Sequence, residues 1–402
     1  MNAIRSTEST TSTVRLHLAF ELGWTEWKLA FTIGQAQAPR LRTIAARDLD
    51  SLIREIAKAK ERFHLPADAP VVSCYEAGRD GFWLHRYLNA GGIRNIVVDS
   101  ASIEVNRRSR RAKTDRLDAV KLVVMLLRYH GGETKVWSVV TIPSVLDEDH
   151  RQLHRELLEL KQERTRHVNR IKGLLASLGL AVATVNAAFP AVLPTLRLWD
   201  GTALAEDSQQ RLLREYARWQ FVDRQIKDLE NARKKRVRQD ETPHVEKVRQ
   251  LLSLAGVGLS GSWLLVFELF GWRKITNRKQ VGALAGMTPT PSQSGDSMRE
   301  QGISKAGNRR LRTMMVELAW CWLRYQPQSE LSQWYQRRFT LGGTRARKVG
   351  VVALARKLLV AFWRYLEQGE GPQGSEAGAV ATQDGRRPGG RVRREAATNK
   401  YL

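Results

Sequence analysis

The sequence predicts an α/β domain followed by an all-α half, and three observations carry that expectation. Strand-length apolar or alternating runs crowd the first 100 residues. Two long, heavily charged stretches with leucines at helical spacing fill about 147–178 and 206–239. The remainder to about 368 reads as compact, apolar helices.

Residues 14–23 (VRLHLAFELG) and 26–34 (EWKLAFTIG) have strand length and are joined at Trp24-Thr25, and LRTIAAR (41–47) is a third strand. Leu49, Leu52, Ile53 and Ile56 then recur at helical spacing, with Asp48 or Asp50 as the cap. Pro66 and Pro70 interrupt the chain before VVSCYEAG (71–78), a buried strand. FWLHRYLNAG is a short helix, NIVVDS (95–100) a strand, and after a basic loop, Ile103 to Lys113, a helix starts at Thr114. Three strands, helix, strand, helix, strand, helix suits a mixed sheet. Ribonuclease H-like nuclease domains share that order.

The charged stretches form a helical hairpin that spaces domains or dimerises, with Leu153, Leu157, Leu160 and Val168 on one face of its first helix. The apolar, proline-containing residues 180–200 between them fit no element. The expected organisation is a disordered 1–13, a sheet domain over 14–135 and a helical linker over 147–240. A C-terminal domain over 245–368 and a disordered basic tail over 369–402 follow.

Charge narrows the partner. Lys plus Arg number 66 against 41 acids, a net charge of +25. Such a bias points to a polyanion, most simply nucleic acid. The longest apolar stretch, Trp263 to Phe270, contains Glu268 and is too short to span a bilayer. The Ser/Thr-rich first 15 residues lack the apolar core of a signal peptide. Cys74 and Cys321 form neither a zinc pattern nor a disulfide framework, so a reduced, cytoplasmic, nucleoid-associated protein is expected. With scattered histidines, any metal would sit on oxygen.

Four acids are the candidate metal ligands: Glu21 in the first strand, Glu76 ending the fourth, and Asp115 and Asp118 on the helix after the fifth. Three residues apart, the aspartates share a helix face. An acid inside an apolar strand must meet water, a cation or a partner. If strands one and four are neighbours, the four can converge and hold two Mg²⁺, the arrangement phosphoryl transfer uses. Each acid alone also has a structural reading, as a favourable helix N-terminal charge or a loop residue.

Two features mark the C-terminal half. LLSLAGVGLSGSWLL resembles a helix-hairpin-helix, whose Gly256 and Gly258 would offer backbone N–H groups to phosphate. A Gly-capped turn is its structural alternative. Downstream, Pro289, Pro291 and Gly295 hold Ser292, Ser294 and Ser297 in an irregular loop, followed by Arg299, Lys305, Asn308, Arg309 and Arg312. A nucleophilic serine needs a base or metal and cations for its phosphate. A turn with a solvated basic face would look similar.

The stretches AFELGWTEWKLAF, YEAG, KTDRLDA, LLSLAGVG, VGALAGMTPTPSQSG and GISKAGNRRLR, in this order over most of 15–365, resemble a known family. It is the bacterial insertion-sequence transposases that join a RuvC-like DEDD domain to a serine-containing C-terminal domain, with pilin-gene invertases as relatives. The resemblance implies that Glu76, Asp115 and Asp118 match the second to fourth metal carboxylates and that Ser294 matches the nucleophile. It also implies a site composed from both domains, a covalent phosphoserine, a homo-oligomer (dimer or tetramer), and guidance of the DNA reaction by a noncoding RNA. The family's first acid is usually Asp in a G-I-D pattern. Here Phe20-Glu21 stands there, with a longer side chain, and Ser292 or Ser297 can also supply the hydroxyl. Two readings compete with strand exchange: a junction resolvase or nuclease using water, and a non-catalytic nucleic-acid-binding protein.

Overall fold

The structure is a computed structural model that describes residues 14–34, 36–103, 115–182, 184–294 and 297–377. The chain divides into two compact units, the first ending at Pro143 and the second beginning at Ser144.

The first unit is a three-layer sandwich. Strands β1 (Leu16–Leu22), β2 (Glu26–Thr32) and β3 (Arg40–Ala45) form an antiparallel meander, and β4 (Val71–Glu76) and β5 (Arg94–Val98) join in parallel. The sheet order is β3-β2-β1-β4-β5, so β1 and β4 are neighbours. Helices α1 (Leu49–Arg62) and α2 (Trp83–Ala90) cover one face, where Leu16, Leu18, Phe20, Leu29 and Tyr75 meet Leu52, Ile56, Leu84 and Leu88. Helix α3 (Asp115–His130) covers the other, where Ala19, Ala30, Cys74 and Val98 meet Ala119, Leu122, Val123 and Leu126. Burial on both faces explains why β1 and β4 read as apolar runs, each large side chain contributing about 1.5–3 kcal/mol. Of the two cap candidates, Asp48 caps α1, accepting from the Ser51 backbone N–H.

The second unit begins with the helical hairpin, α4 (Val145–Ser177) against α6 (Glu206–Gln239). Leu157, Leu160, Val222 and Ile226 pack its middle. The stretch that fitted no element closes its far end: α5 (Phe189–Val192) and a following 3-10 turn bury Phe189 and Leu193 against Ile171, Leu175, Leu212 and Tyr216. Near its start, α4 departs from the leucine stripe. Asp147, His150, Arg151 and His154 are buried there instead, whereas Leu153 is only half-buried.

The rest of the unit is a helical core of α7 (Pro243–Leu252), α8 (Leu259–Leu265) running into a π-helical turn Val266–Phe270, α9 (Arg278–Leu284), α10 (Arg309–Tyr325), α11 (Glu330–Phe339) and α12 (Thr344–Gln368). Trp263, Phe267, Trp322 and Phe362 are its largest fully buried apolar side chains. Two expectations are corrected. The serine segment is not irregular but a pair of antiparallel strands, β6 (Pro289–Ser294) with β7 (Ser297–Ile303). Residues 369–377 do not begin a disordered tail. They return to the core, where Leu254 bridges Ala377 and the Gln326 side chain bonds both the N–H and the C=O of Glu376. The remainder of that tail, residues 378–402, lies outside the described residues, as do 1–13 and 104–114 of the basic loop.

Candidate active site

The parallel β1–β4 register pairs Leu16 with Val71 and Phe20 with Tyr75, so Glu21 and Glu76 follow at the same level. By strand alternation both share the face of Ala19 and Cys74, the face covered by α3. The Cys74 thiol donates to the Leu122 carbonyl, and the His17 and His130 rings meet edge to face at 5.6 Å. Stepping from His130 to Leu122 along α3 therefore climbs from the start of the strands toward their ends. One further turn, about 6 Å of rise, reaches Asp118 as two strand residues reach Glu76. Glu21, Glu76 and Asp118 thus occupy one edge and one face. Glu76 is exposed, and Glu21 and Asp118 are half-buried.

The side chain of Asp115 lies outside the described residues, and Glu21 has a partner of its own. Among the described residues, no group of three or more His, Cys, Asp or Glu side chains is drawn together tightly enough to hold a metal ion.

The β6–β7 hairpin sets Ser294 across from Ser297 at its tip and Ser292 across from Arg299. Gly295 and the side chains of Ser292, Ser294, Ser297 and Arg299 lie outside the described residues. The base of the hairpin explains the spacing of AGMTP and ISKAGN. Ser304 N–H donates to the Thr288 carbonyl, Lys305 N–H to Gly286 and Asn308 N–H to Leu284. Gly286 (φ +65°) and Gly307 (φ +124°) close the clasp. A Cβ on Gly307 would lie 2.5 Å from the Leu284 oxygen and 2.8 Å from the Ala283 oxygen. Gly307→Ala combines that clash with a disfavoured φ, so about 2–4 kcal/mol of stability should be lost. Denaturant unfolding of the variant checks this, and an unchanged midpoint would contradict it.

The predicted basic cluster divides. Asn308 caps α10, accepting from Arg310 and Leu311 N–H groups, and donates to Glu268. Arg312 donates to the carbonyls of Ala285 and Lys305, bracing the clasp. Lys305, held at φ +55°, and Arg309 are exposed and remain available to an anion.

The turn between α7 and α8 packs Val257 inward and places Gly256 at φ +85°, where a Cβ would sit 3.1 Å from Tyr325 Cβ. Gly258 has open space beside it and lines an open groove of about 400 Å³ with Arg233, Lys234 and Ser260. Sequence reasoning missed the buried ion pair nearby. Glu268, 3% exposed in the π-helical turn, accepts from Arg155 Nε at 2.8 Å and Nη2 at 3.2 Å. Its only sequence signal was one acid inside an apolar run.

Residues 248–334 match the IS116/IS110/IS902 transposase family. A curated transposase relative, y4rJ of Sinorhizobium fredii, is 39% identical over 366 residues, 88% of this chain and 92% of its own. The transposase for insertion sequence element IS1328 of Yersinia enterocolitica is 26% identical over 54% of this chain and 62% of its own. The transposase for insertion sequence element IS1111A of Coxiella burnetii is 27% identical over 52% and 56%. The sheet domain, helical hairpin and serine hairpin are therefore parts of a transposase, a protein that cuts and rejoins DNA. The chain belongs to the IS116/IS110/IS902 family. Among the described residues no helix is long and apolar enough to cross a membrane.

Proposed function

We propose that this transposase cuts DNA with a divalent-cation site on Glu21, Glu76, Asp115 and Asp118 in a RuvC-like sheet domain, and carries the cut strand on Ser294. The reading is supported chiefly by the parallel β1–β4 pair, which sets Glu21 and Glu76 at one sheet edge beneath the helix carrying Asp118. All four donors are carboxylate oxygens, the set that suits Mg²⁺. Bound there, two such ions would activate the attacking oxygen and stabilise the leaving one.

Ser294 supplies the nucleophile at the hairpin tip. Its hydroxyl oxygen displaces a deoxyribose oxygen from phosphorus, the proton leaves with that oxygen, and a strand hydroxyl later reverses the exchange and frees the serine. Lys305 and Arg309, both exposed, offer charge to phosphate, and Gly256 and Gly258 offer a helix-hairpin-helix turn to the backbone. The +25 charge accommodates a guide RNA as well as DNA at the nucleoid, and the α4–α6 hairpin suits a homo-oligomer.

Ser294→Ala is expected to abolish covalent protein–DNA adducts and strand exchange while DNA binding survives. Ser292→Ala and Ser297→Ala should retain the adduct. Full exchange by the Ser294 variant would overturn the assignment, and cleavage without any serine-dependent adduct would favour a nuclease that uses water.

A further inference from the structure

We infer that Trp24, Arg47 and Arg79 form a stacking platform for an unpaired nucleotide at the carboxylate edge of the sheet. Trp24 sits in the turn between β1 and β2, three residues after Glu21, and Arg79 lies three residues after Glu76. Arg47 follows β3, which runs in the same direction as β1, so all three residues emerge at one edge. Trp24 is 66% exposed, so much of its ring surface is open to a ligand.

Both guanidiniums are drawn to that ring, their Cζ atoms each 5.0 Å from its centroid. Asp80, nearly buried, holds the pair in place, with Arg47 and Arg79 each 3.3 Å from one of its oxygens. Arg47 also donates to the Trp24 carbonyl. Its backbone is left-handed at φ +70°, a conformation that costs a non-glycine residue energy and that recurs at ligand sites. Two cations share one carboxylate, so the cluster keeps a net positive charge, and both guanidiniums remain about half exposed.

Exposed indole surface under two half-exposed guanidiniums offers stacking area and N–H groups together, which matches a base and its own phosphate. Paired bases in a duplex bury their faces, so the occupant is a single-stranded stretch of DNA or RNA. The position adds a purpose, since three acids at this edge repel a phosphodiester and the platform supplies compensating attraction. That last point rests on the carboxylate reading, whereas the binding itself does not.

The test measures affinity of the full chain for single-stranded DNA, single-stranded RNA and blunt duplex oligonucleotides of one sequence, in EDTA so that cleavage plays no part. Trp24→Ala should bind single strands about tenfold more weakly, Trp24→Phe should keep most of the affinity, and duplex binding should stay within twofold. Arg79→Gln should weaken single-strand binding and flatten its salt dependence. Loss with DNA alone or RNA alone identifies which strand uses the platform. Single-strand affinity unchanged by Trp24→Ala, or an equal loss on duplex, would overturn the proposal.

Discussion

Glu76→Gln should slow strand cleavage on the order of a thousandfold and leave the melting temperature unchanged. The two halves of this expectation have separate origins. Glu76 ends β4 with its side chain exposed, so an isosteric amide removes no packing. A carboxylate that holds a divalent ion, however, contributes several kcal/mol of charge stabilisation, and each 1.36 kcal/mol is tenfold in rate. DNA binding without metal should hold or strengthen, because a negative charge facing phosphate is gone. Single-turnover cleavage at saturating Mg²⁺, set beside thermal melting, measures both. Cleavage within threefold of the parent would remove Glu76 from the site.

Glu268→Ala should cost about 3–5 kcal/mol of stability. Its carboxylate is buried between Arg155 and the cap residue Asn308, so its loss strands a cation and frees the start of α10. Pairing the change with Arg155→Leu should recover part of the loss, because the stranded charge leaves too. Urea unfolding of both variants measures this, and a single variant within 1 kcal/mol of the parent would contradict it.

The pH dependence has a defined sign. Burial alone would raise the Glu268 carboxyl, but the Arg155 hydrogen bond and the charges of Arg155 and Arg151 outweigh it and hold the group below the usual glutamate range. Its contribution is therefore present above about 4.5, the ordinary value, and lost as pH falls through the depressed one. His154 is pushed down from 6.5 to about 4 by burial and by Arg233. Its neutral form is the native one, so stability starts to fall as pH drops below 6.5 and goes on falling toward 4. Acid weakening should therefore begin with the histidine, well before the glutamate protonates.

The sheet domain was legible because burial on both faces forces long apolar strands, and Glu21 and Glu76 stood out within them. Strand adjacency was a conditional in the sequence, and the β1–β4 register resolves it. The serine hairpin was harder to read. Its strands carry two prolines and mostly polar side chains, so no apolar alternation announced them. Asn308 and Arg312 read as part of a binding cluster because composition does not reveal that Asn308 caps a helix and that Arg312 Nη1 braces two loop carbonyls. The Trp24 cluster draws on three separate loops and has no signature in any one of them. Polar burial near the start of α4 was invisible for a similar reason, since Arg155 and Glu268 are 113 positions apart.

The return of residues 369–377 to the core has a practical side. Gln326 is almost wholly buried and spends its amide on Ala255 and Glu376. Trimming the chain at Gln368 would leave that amide with half its partners and uncover the edge of Leu254. Anything fused after Ala377, by contrast, sets out about one strand spacing from the turn that contains Gly256. A label attached at that point would report on whatever docks at this turn, and a bulky one would obstruct it.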